Sequence, residues 1–585
     1  MTAAAVALGG SPALAACKLV KTAEIPVTMR GTTPMVKGVV DGVELNFIAD
    51  TGAFYSMLTP QAVARLGMKT RSTPMSFGVV GVGGEVRAEL GEAKTFVLGG
   101  MVAHRVPFFV NPSHIEHIAD GLIGQNVWGP QDAEIDLAHG VIRLYQPSDC
   151  ARTNLAYWTQ GGPFNVIDIH QINAEQQKIE AGASVNGQRI RVQFDTGAGL
   201  SVLTLAAAGR AGVTIKDEGV QPGGETGGIG PRLVETWIAP VKSFAIGDEE
   251  IRNTRLRIGQ LTLGDEDMLL GADFFLSHRV FVSNVQHKLY FTYNGGPVFN
   301  LSTTPQAGSA AAAPASETPG DASGFLRRGL ASEARGDLVR ANEDFDLAIQ
   351  LEPDLADAWA ARASIRSRQG QADKALADLD QAVRLRPQNA RTLVHRATVR
   401  LAAKDLKGAR EDFDAAVAIE ADLSQEAAGT FVIKGMFDEA LPYLDAWIAT
   451  HPKDDNLAGA LNARCWARAL WGRELDKAMS DCNAALKLRP GAPTVLDSRG
   501  LVRLRQGDLD GAVADYDQAL RRDPKMAWSL YGRGLARLRK GLAAAGEADL
   551  KAAAAIEADI DERAKTYGLE RASAASPTVG AERGG

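Results

Sequence analysis

A four-residue sequence, Asp-Thr-Gly-Ala, occurs twice in the first half of the chain, beginning at Asp50 and again at Asp195. Each copy follows an apolar, strand-like run, residues 45–49 or 190–194, which predicts that both carboxyl groups lie where a strand ends in a turn. The glycine of each copy allows the tight turn beneath the acid. The duplication therefore predicts two similar lobes that together form one site.

The surroundings of the two copies repeat in the same order. Both continue with an apolar or helical stretch ending in glycine, a glycine-rich hairpin candidate, and an apolar pair followed by glycine. These features occupy 56–67, 78–84 and 122–124 in the first copy and 201–212, 223–230 and 269–271 in the second. The closing glycine follows the aspartate by 74 residues in one copy and by 76 in the other. One Asp-Thr-Gly triplet fits an ordinary turn, whereas four features repeated in order indicate a duplicated fold.

This arrangement resembles the retropepsin-like aspartic proteases over about residues 25–293. In that family, two lobes each contribute one aspartate to a shared cleft beneath glycine-rich flaps. The resemblance implies an aspartic endopeptidase with both lobes in one chain and with Asp50 and Asp195 as its dyad. Carboxyl groups about 3 Å apart cannot both ionise, so the pair shares a proton. One member can then act as base toward a water while the other donates to the substrate carbonyl.

The resemblance also implies supporting roles for residues near the dyad. Thr51 and Thr196 would fix the two loops through hydrogen bonds, and Gly52 and Gly197 would allow the turns. The glycines of the two flaps would be Gly81, Gly83, Gly84, Gly227, Gly228 and Gly230. A non-catalytic adaptor that binds peptide without cutting it is the alternative, and it would arise if the segment 157–168 held the aspartates too far apart.

Neither a cofactor nor a metal ion is expected. The glycine clusters lack the spacing before a helix that dinucleotide binding needs. The chain has no Cys-x-x-Cys motif, and His114 with His117 is an isolated pair in a predicted loop. A net charge of −7 gives no basic surface for nucleic acid. No apolar run of about 18 residues predicts a membrane span.

The N-terminus bears on the compartment. Residues 1–16 contain a short apolar run and end near Ala13-Leu14-Ala15, a small-x-small cleavage pattern, which predicts an export signal. The four residues ending at Cys17 also resemble a lipoprotein box. Lipidation of Cys17 would leave Cys150 unpaired, so a disulfide between them is the preferred interpretation over a lipid anchor.

The two remaining cysteines lie in the second half of the chain. Cys465 and Cys482 are a second disulfide candidate, and the alternative is two buried thiols that behave as small apolar side chains. Disulfides indicate an oxidising compartment such as the bacterial periplasm.

A different periodicity occupies the C-terminal half. Small residues recur there at intervals of 31 to 37 residues, at Gly329, Ala363, Ala397, Ala428, Cys465, Gly500 and Gly534. A period near 34 with a helix-forming composition indicates paired helices stacked as a solenoid, and it resembles a tetratricopeptide array. The resemblance implies a surface that binds protein partners or peptides and brings substrates to the protease.

At 585 residues the chain is too long for one core. The expected fold class is multidomain, with an all-β two-lobed aspartic protease of the pepsin or retropepsin type followed by an all-α solenoid. The expected segments are an export signal at 1–16, protease lobes at 17–150 and 151–300, a flexible linker at 301–321, about seven repeats at 322–558, and a capping helix with a disordered tail at 559–585.

Overall fold

A computed structural model describes residues 17–73, 79–82, 84–86, 88–110, 115, 118–170, 178–228, 233–261, 263–299, 319–452, 454 and 456–570. The predicted export signal at 1–16 and nearly all of the predicted linker at 301–321 lie outside these residues. The chain divides into two compact units, residues 1–369 and 370–585, which are described separately. The predicted fold class is confirmed, since a β-rich region with two barrel-like lobes precedes a solenoid of helices.

The first lobe is an eight-stranded sheet that closes on itself because strand Thr33–Val40 also pairs with strand Glu89–Leu98. Phe96 packs edge to face against Phe47 and Phe108 in its core. The elements of this part of the chain are β1 (Lys18–Pro26), β2 (Thr28–Arg30), β3 (Thr33–Val40), β4 (Val43–Ala49), β5 (Met57–Leu58), α1 (Pro60–Leu66), β6 (Thr70–Ser72), β7 (Val79–Gly81), β8 (Gly84–Val86), β9 (Glu89–Leu98), β10 (Met101–Val110), β11 (Gly121–Ile123), α2 (Gln125–Trp128), β12 (Asp132–Asp136) and β13 (Val141–Ser148). The sheet order is β2-β3-β4-β11-β5-β10-β9-β6.

The second lobe repeats this plan with a seven-stranded sheet. Its elements are β14 (Asn165–Asp168), β15 (Glu180–Val185), β16 (Gln188–Phe194), β17 (Val202–Thr204), α3 (Leu205–Arg210), β18 (Gln221–Thr226), β19 (Val234–Ile246), β20 (Glu249–Gly259), β21 (Met268–Leu270), α4 (Ala272–Ser277), β22 (His278–Ser283) and β23 (Lys288–Tyr293). The order β15-β16-β21-β17-β20-β19-β18 places β16 and β21 where β4 and β11 lie in the first lobe. The internal duplication of the sequence is therefore also a duplication of topology.

The two lobes share a third sheet that the sequence analysis did not predict. Its six strands run in the order β1-β13-β12-β22-β23-β14 and come from both halves of the protease region. Strand β12 pairs antiparallel with β22, with Ala133 opposite Val282. At the centre, the fully buried Glu134 accepts hydrogen bonds from Arg143 at 2.6 Å and from Arg279 at 3.1 Å. Pairing between strands more than 140 residues apart leaves no periodic pattern in the sequence. The sequence therefore predicts two lobes but not the sheet that joins them.

Helices form the rest of the described chain. They are α5 (Ala322–Ala334), α6 (Leu338–Leu351), α7 (Ala356–Arg368), α8 (Ala372–Leu385), α9 (Ala390–Ala402), α10 (Leu406–Ile419), α11 (Leu423–Ile433), α12 (Phe437–Thr450), α13 (Leu457–Trp471), α14 (Leu475–Leu488), α15 (Pro493–Gln506), α16 (Leu509–Arg522), α17 (Ala527–Arg539), α18 (Ala543–Ile556) and α19 (Ile560–Thr566). The recurring glycines lie where paired helices approach closely. A Cβ on Gly329, Gly500 or Gly534 would lie 2.5, 2.8 or 2.9 Å from a side chain of the paired helix. No helix in the described residues is both long and apolar enough to span a membrane.

The first helix pair is part of the same compact unit as the protease lobes. Helix α5 packs against β2 and against the 3₁₀ turn Leu137–His139. Ala331 is fully buried in the hydrophobic core that the lobes form, and Arg335 Nη1 donates to the carbonyl of Leu276 at 3.4 Å. The first repeat is therefore held by packing against the lobes and not by a flexible linker alone.

A ladder of arginines and buried aspartates joins successive helices of the second unit. The Arg396 guanidinium donates to both carboxylate oxygens of Asp412, at 2.9 and 2.6 Å, and also to Asp380 at 2.9 Å. Arg499 makes the same two-pronged contact with Asp515. Asp412 and Asp515 are at most 3% exposed, and such buried carboxylates are stable only when paired and hydrogen-bonded. Equivalent pairs join Arg328 to Asp344, Arg464 to Asp481 and Arg533 to Asp549, so the arginines and aspartates recur at spacings near 34 residues or a multiple of it, a second periodic signal in the sequence.

Two disulfides close loops of very different length, joining Cys17 to Cys150 and Cys465 to Cys482. Because loop-closure stabilisation grows with loop length, the first, with a sequence separation of 133, should contribute more than the second, with 17. We expect the double Cys→Ser change at 17 and 150 to lower the free energy of unfolding by about 5 kcal/mol, and that at 465 and 482 by about 3 kcal/mol. Denaturant titrations measure both losses, and an equal loss in the two variants would contradict this account.

Candidate active site

Asp50 and Asp195 occupy equivalent positions at the ends of two strands. Strand β4 pairs in parallel with β11, and β16 pairs in parallel with β21. The Asp50 N–H donates to the carbonyl of Ile123 at 3.0 Å, and the Asp195 N–H donates to that of Leu270 at 2.8 Å. Each Asp-Thr-Gly loop is therefore fixed to two strands of its own lobe at the point where it begins.

The two loops bring the carboxyl groups of Asp50 and Asp195 together. A Cβ on Gly52 would lie 2.2 Å from Cγ of Asp195, and a Cβ on Gly197 would lie 2.3 Å from Cγ of Asp50. Each glycine thus lies directly against the opposite carboxyl group, and any larger residue would displace it. The two carboxyl groups are therefore close neighbours, and the charge of Asp195 acts on Asp50. The arrangement is symmetric between the lobes.

Backbone amides orient both carboxyl groups. Asp50 Oδ1 accepts from the N–H groups of Gly52 and Ala53 at 2.9 and 2.8 Å. Asp195 Oδ1 accepts from Gly197 and Ala198 at 2.9 and 3.2 Å. One oxygen of each acid is thereby held by its own loop, which fixes the direction in which each carboxyl group points.

The pKa values of both acids are raised by their surroundings. Burial, followed by the adjacent charge of Asp195, raises the pKa of Asp50 well above its usual range. Burial also raises the pKa of Asp195, although hydrogen bonds from Ala198 and from Asp50 act in the opposite direction. A carboxyl pair of this kind titrates as one unit. It keeps one proton at a pH at which isolated acids have lost theirs.

Thr51 and Thr196 lock the two loops to each other across the interface between the lobes. Each backbone N–H donates to the hydroxyl oxygen of the other threonine, at 3.0 Å in both directions. Each hydroxyl in turn donates to a strand of the opposite lobe, Thr51 to the carbonyl of Phe194 at 3.0 Å and Thr196 to that of Ala49 at 2.6 Å. Both side chains are at most 3% exposed. The four bonds therefore set the separation of the aspartates.

A serine beneath each loop shows where the lobes differ. In the first lobe, Asn126 Oδ1 accepts from the N–H and the hydroxyl of Ser56 at 2.7 and 2.8 Å. In the second lobe, Asp273 Oδ1 accepts the same two bonds from Ser201 at 2.9 and 2.6 Å. Asp273 is 2% exposed, and burial raises its pKa to about 6. The second lobe therefore carries a buried acid where the first has a neutral amide.

We expect Asp273→Asn to stabilise the protein at pH 8 but not at pH 4. A pKa raised from 3.8 to about 6 means that folding gains from this group below its unfolded pKa and loses that gain as pH rises through 6. The difference between the two pH values should approach about 3 kcal/mol. Thermal unfolding of the native protein and the variant at both pH values measures it. Asn126→Asp is the matched reverse change, and it should destabilise the protein more at pH 8 than at pH 4. A larger gain in stability for Asp273→Asn at pH 4 than at pH 8 would contradict the assignment.

The described parts of the two glycine-rich segments belong to two hairpins that touch at Val82 and Gly228. Strands β7 and β8 pair around Val82, and β18 pairs with β19 in the second lobe. A Cβ on Gly228 would lie 3.2 Å from Cβ of Val82, so the two hairpins are in contact there. Of the six predicted flap glycines, Gly81 lies in β7, Gly84 begins β8, and Gly227 and Gly228 follow β18. Gly83 and Gly230, like His114 and His117, lie outside the described residues.

Side chains beside the first loop were missed by the sequence analysis. Phe54 and Tyr55 directly follow the first Asp-Thr-Gly-Ala and are 38% and 37% exposed. The Lys178 ammonium lies 5.5 Å from the centroid of the Phe54 ring and pairs with Glu266. Two consecutive aromatic residues after the motif were the available sequence signal. In the described part of the chain, no group of three or more potential ligands could hold a metal ion.

Comparison with protein-family models matches residues 36–127 and 181–274 to an aspartyl protease family. Each matched segment contains one Asp-Thr-Gly-Ala loop with its closing apolar pair and glycine. The chain carries an aspartyl protease domain in two lobes. Two tetratricopeptide repeat models match residues 360–424 and 500–541, so repeats follow the aspartyl protease domain.

No curated protein matches the chain. Solved structures with similarity include a tetratricopeptide repeat protein from Parabacteroides merdae, with 16% identity, coverage of 42% of this chain and 98% of that one, and a TM-score of 0.34. YrrB, a TPR protein with an unusual peptide-binding site, has 22% identity, 33% and 98% coverage and a TM-score of 0.26. PilW, a type IV pilus biogenesis factor, has 18% identity, 36% and 97% coverage and a TM-score of 0.29.

Proposed function

We propose that this protein is an aspartic endopeptidase that hydrolyses peptide bonds with a water activated between Asp50 and Asp195. The observation that carries the proposal is that the glycine of each loop lies directly against the carboxyl group of the other, so the two acids are neighbours, each oriented by two backbone amides of its own loop. The lock between Thr51 and Thr196 holds the loops in register. Acid–base chemistry requires this kind of fixed geometry between groups that exchange a proton.

The reaction begins with one carboxyl group ionised and the other protonated. The carboxylate removes a proton from water while the water oxygen attacks the carbonyl carbon of the peptide. The protonated partner donates to the carbonyl oxygen, giving a tetrahedral diol. Collapse of the diol returns a proton to one carboxylate and transfers another to the amide nitrogen as the C–N bond breaks. Both acids therefore end in their starting states, and no acyl-enzyme forms.

The two hairpins are proposed to act as flaps that cover the bound peptide. Val82 and the backbone at Gly228 are in contact. A peptide could enter only when this contact opens, and closing it would exclude water from the reacting groups. The glycines near this contact permit such movement because they tolerate a wide range of backbone conformations.

The tetratricopeptide repeats are proposed to recruit protein partners or substrates, because stacked helix pairs present an extended binding surface. We also propose that the protein is exported, with residues 1–16 as the signal and the bacterial periplasm as its compartment. Two disulfides support an oxidising environment. The disulfide at Cys17 supports a lipid-free N-terminus, since a lipidated Cys17 could not form it.

Cleavage of a diverse peptide library from pH 3 to pH 8, read by mass spectrometry, tests the proposed activity. We expect the native protein to cut and Asp50→Asn and Asp195→Asn not to cut. Asp168→Asn is the matched control, because this exposed carboxylate pairs only peripherally with Lys288 and should leave cleavage unchanged. No cleavage by the folded native protein would favour the peptide-binding adaptor. Activity that survives either dyad substitution would exclude the dyad.

A further inference from the structure

The segment that follows the last repeat folds back onto the solenoid. After α19 the chain turns at Gly568, which has φ +66°, and Leu569 N–H donates to the carbonyl of Ala564 at 3.0 Å. Leu569 is 2% exposed and belongs to the hydrophobic core of the second unit. The sequence predicts a disordered tail after the capping helix. The structure instead shows that Leu569 is docked.

Leu569 contacts a face built from the first helices of three successive repeats, α13, α15 and α17, which we name the first-helix face. Leu569 borders a cavity of about 10 Å³ there together with Trp466, Leu501 and Trp528, one residue from each helix. The cavity has room for about one water at most. The leucine therefore fills a largely apolar pocket that three repeats form jointly.

Tyr567 extends the contact to a fourth repeat. Its ring centroid lies 6.0 Å from that of Phe437, at the start of α12, and 6.1 Å from that of Trp528. Phe437 precedes Tyr567 by 130 residues. A cap for the last repeat needs contacts only with α17 and α18. The aromatic contact with α12 lies well beyond what capping requires.

Side chains of the solenoid also bind the backbone of this segment. Arg505 donates to the carbonyl of Tyr567 as well as to that of Leu470, and Tyr531 donates to the carbonyl of Leu569 at 3.4 Å. Arg563 of α19 lies over the Trp528 ring at 5.3 Å. Side-chain bonds to backbone combined with pockets for alternate side chains are the means by which grooves recognise peptides.

We propose that the first-helix face is a docking site for a protein partner that presents an aromatic residue followed two positions later by leucine. The chain's own Tyr567-Gly568-Leu569 occupies the site in cis, and a partner must displace it. The chemistry of the occupant defines that of the ligand. Leu569 lies in the pocket, Tyr567 packs at a tilt against the rings of Phe437 and Trp528, and Arg505 donates to the carbonyl of Tyr567. Because the chain's own segment occupies the site, a partner's apparent Kd equals its intrinsic Kd divided by the fraction of chains whose site is open.

A fluorescein-labelled peptide of residues 559–570 is the probe, and fluorescence anisotropy is the readout. We expect the full chain carrying Tyr567→Ala and Leu569→Ala to bind the peptide at least about tenfold more tightly than the native chain, because its own segment no longer competes. The control is the same peptide with alanine at the tyrosine and leucine positions, and it should bind neither protein. A folded double variant, with native helix content by circular dichroism, that fails to bind the labelled peptide would overturn the proposal.

A second measurement applies if the double variant does not fold. Excess unlabelled peptide is added to the native protein, and hydrogen exchange of residues 560–570 is followed. Faster exchange in this segment than with the alanine control peptide supports displacement, and unchanged exchange overturns the proposal. Neither readout involves Asp50 or Asp195, so failure here leaves the proposed peptidase activity untouched.

Discussion

Asp50→Asn and Asp195→Asn are each expected to lower the rate of peptide cleavage by about 10⁴-fold, and the double variant is expected to lose no more than either single variant. The reason is that base and acid act on the same water and carbonyl, so removing one makes the other useless. Single-turnover assays on the best substrate from the peptide library measure the three rates. Additive losses in the double variant would mean that the two acids act in separate steps.

The same substitutions should not destabilise the fold. Because the pKa of both acids is raised in the folded protein, their contribution to stability is present below the unfolded pKa and is lost as pH rises through the folded values. We therefore expect the asparagine variants to be at least as stable as the native protein at pH 7. Thermal unfolding measures this. A marked loss of stability in either variant would contradict this account.

Thr196→Val is expected to have the largest effect on stability of any single change near the site. It removes the hydroxyl that accepts from the Thr51 N–H and donates to the Ala49 carbonyl, and both backbone groups would be left buried without partners. The cost should be about 2–4 kcal/mol in the free energy of unfolding. Cleavage should fall by more than about tenfold, because the two aspartates lose their fixed separation.

Two comparisons separate the lock from general packing. Thr196→Ser keeps the hydroxyl and should retain most of the stability and activity. Thr51→Val should match Thr196→Val, since the two residues are equivalent, and combining them should cost less than the sum because they share the same bonds. The hydroxyl would not hold the two loops together if Thr196→Val kept the native free energy of unfolding. The same conclusion would follow if Thr196→Ser lost as much stability as Thr196→Val.

The sequence predicted features that depend on local order along the chain. The Asp-Thr-Gly-Ala loops and the helix periodicity each leave a mark within one segment or at a fixed spacing. The shared six-stranded sheet leaves none, because its pairing of Ala133 with Val282 is set by packing between distant strands. The docking of Leu569 was missed for a similar reason. A single leucine after Gly568 looks like an ordinary tail residue until the pocket beside Trp466 and Trp528 is known.

The electrostatic features of the site could not be predicted from the sequence, because they depend on burial and on neighbours from distant segments. Asn126 and Asp273 occupy equivalent positions in the two lobes, and both can be read from the sequence. The raised pKa of Asp273 depends on its burial, which the sequence does not show. Similarly, Phe54 is one of many aromatic residues until Lys178 is found over its ring. Chemical identity is local in the sequence, whereas the environment that alters it is assembled from several segments.

The docking of α5 on the lobes changes what residues 300–318 can do for the protein. A captured substrate on a free tether would meet the cleft at an effective concentration set by tether length. Here the buried Ala331 and the bond from Arg335 to Leu276 anchor the first repeat after that segment has ended. Insertions into the segment should therefore leave the first helix pair seated on the lobes, so that the length of residues 300–318 does not set the effective concentration of anything that this pair binds.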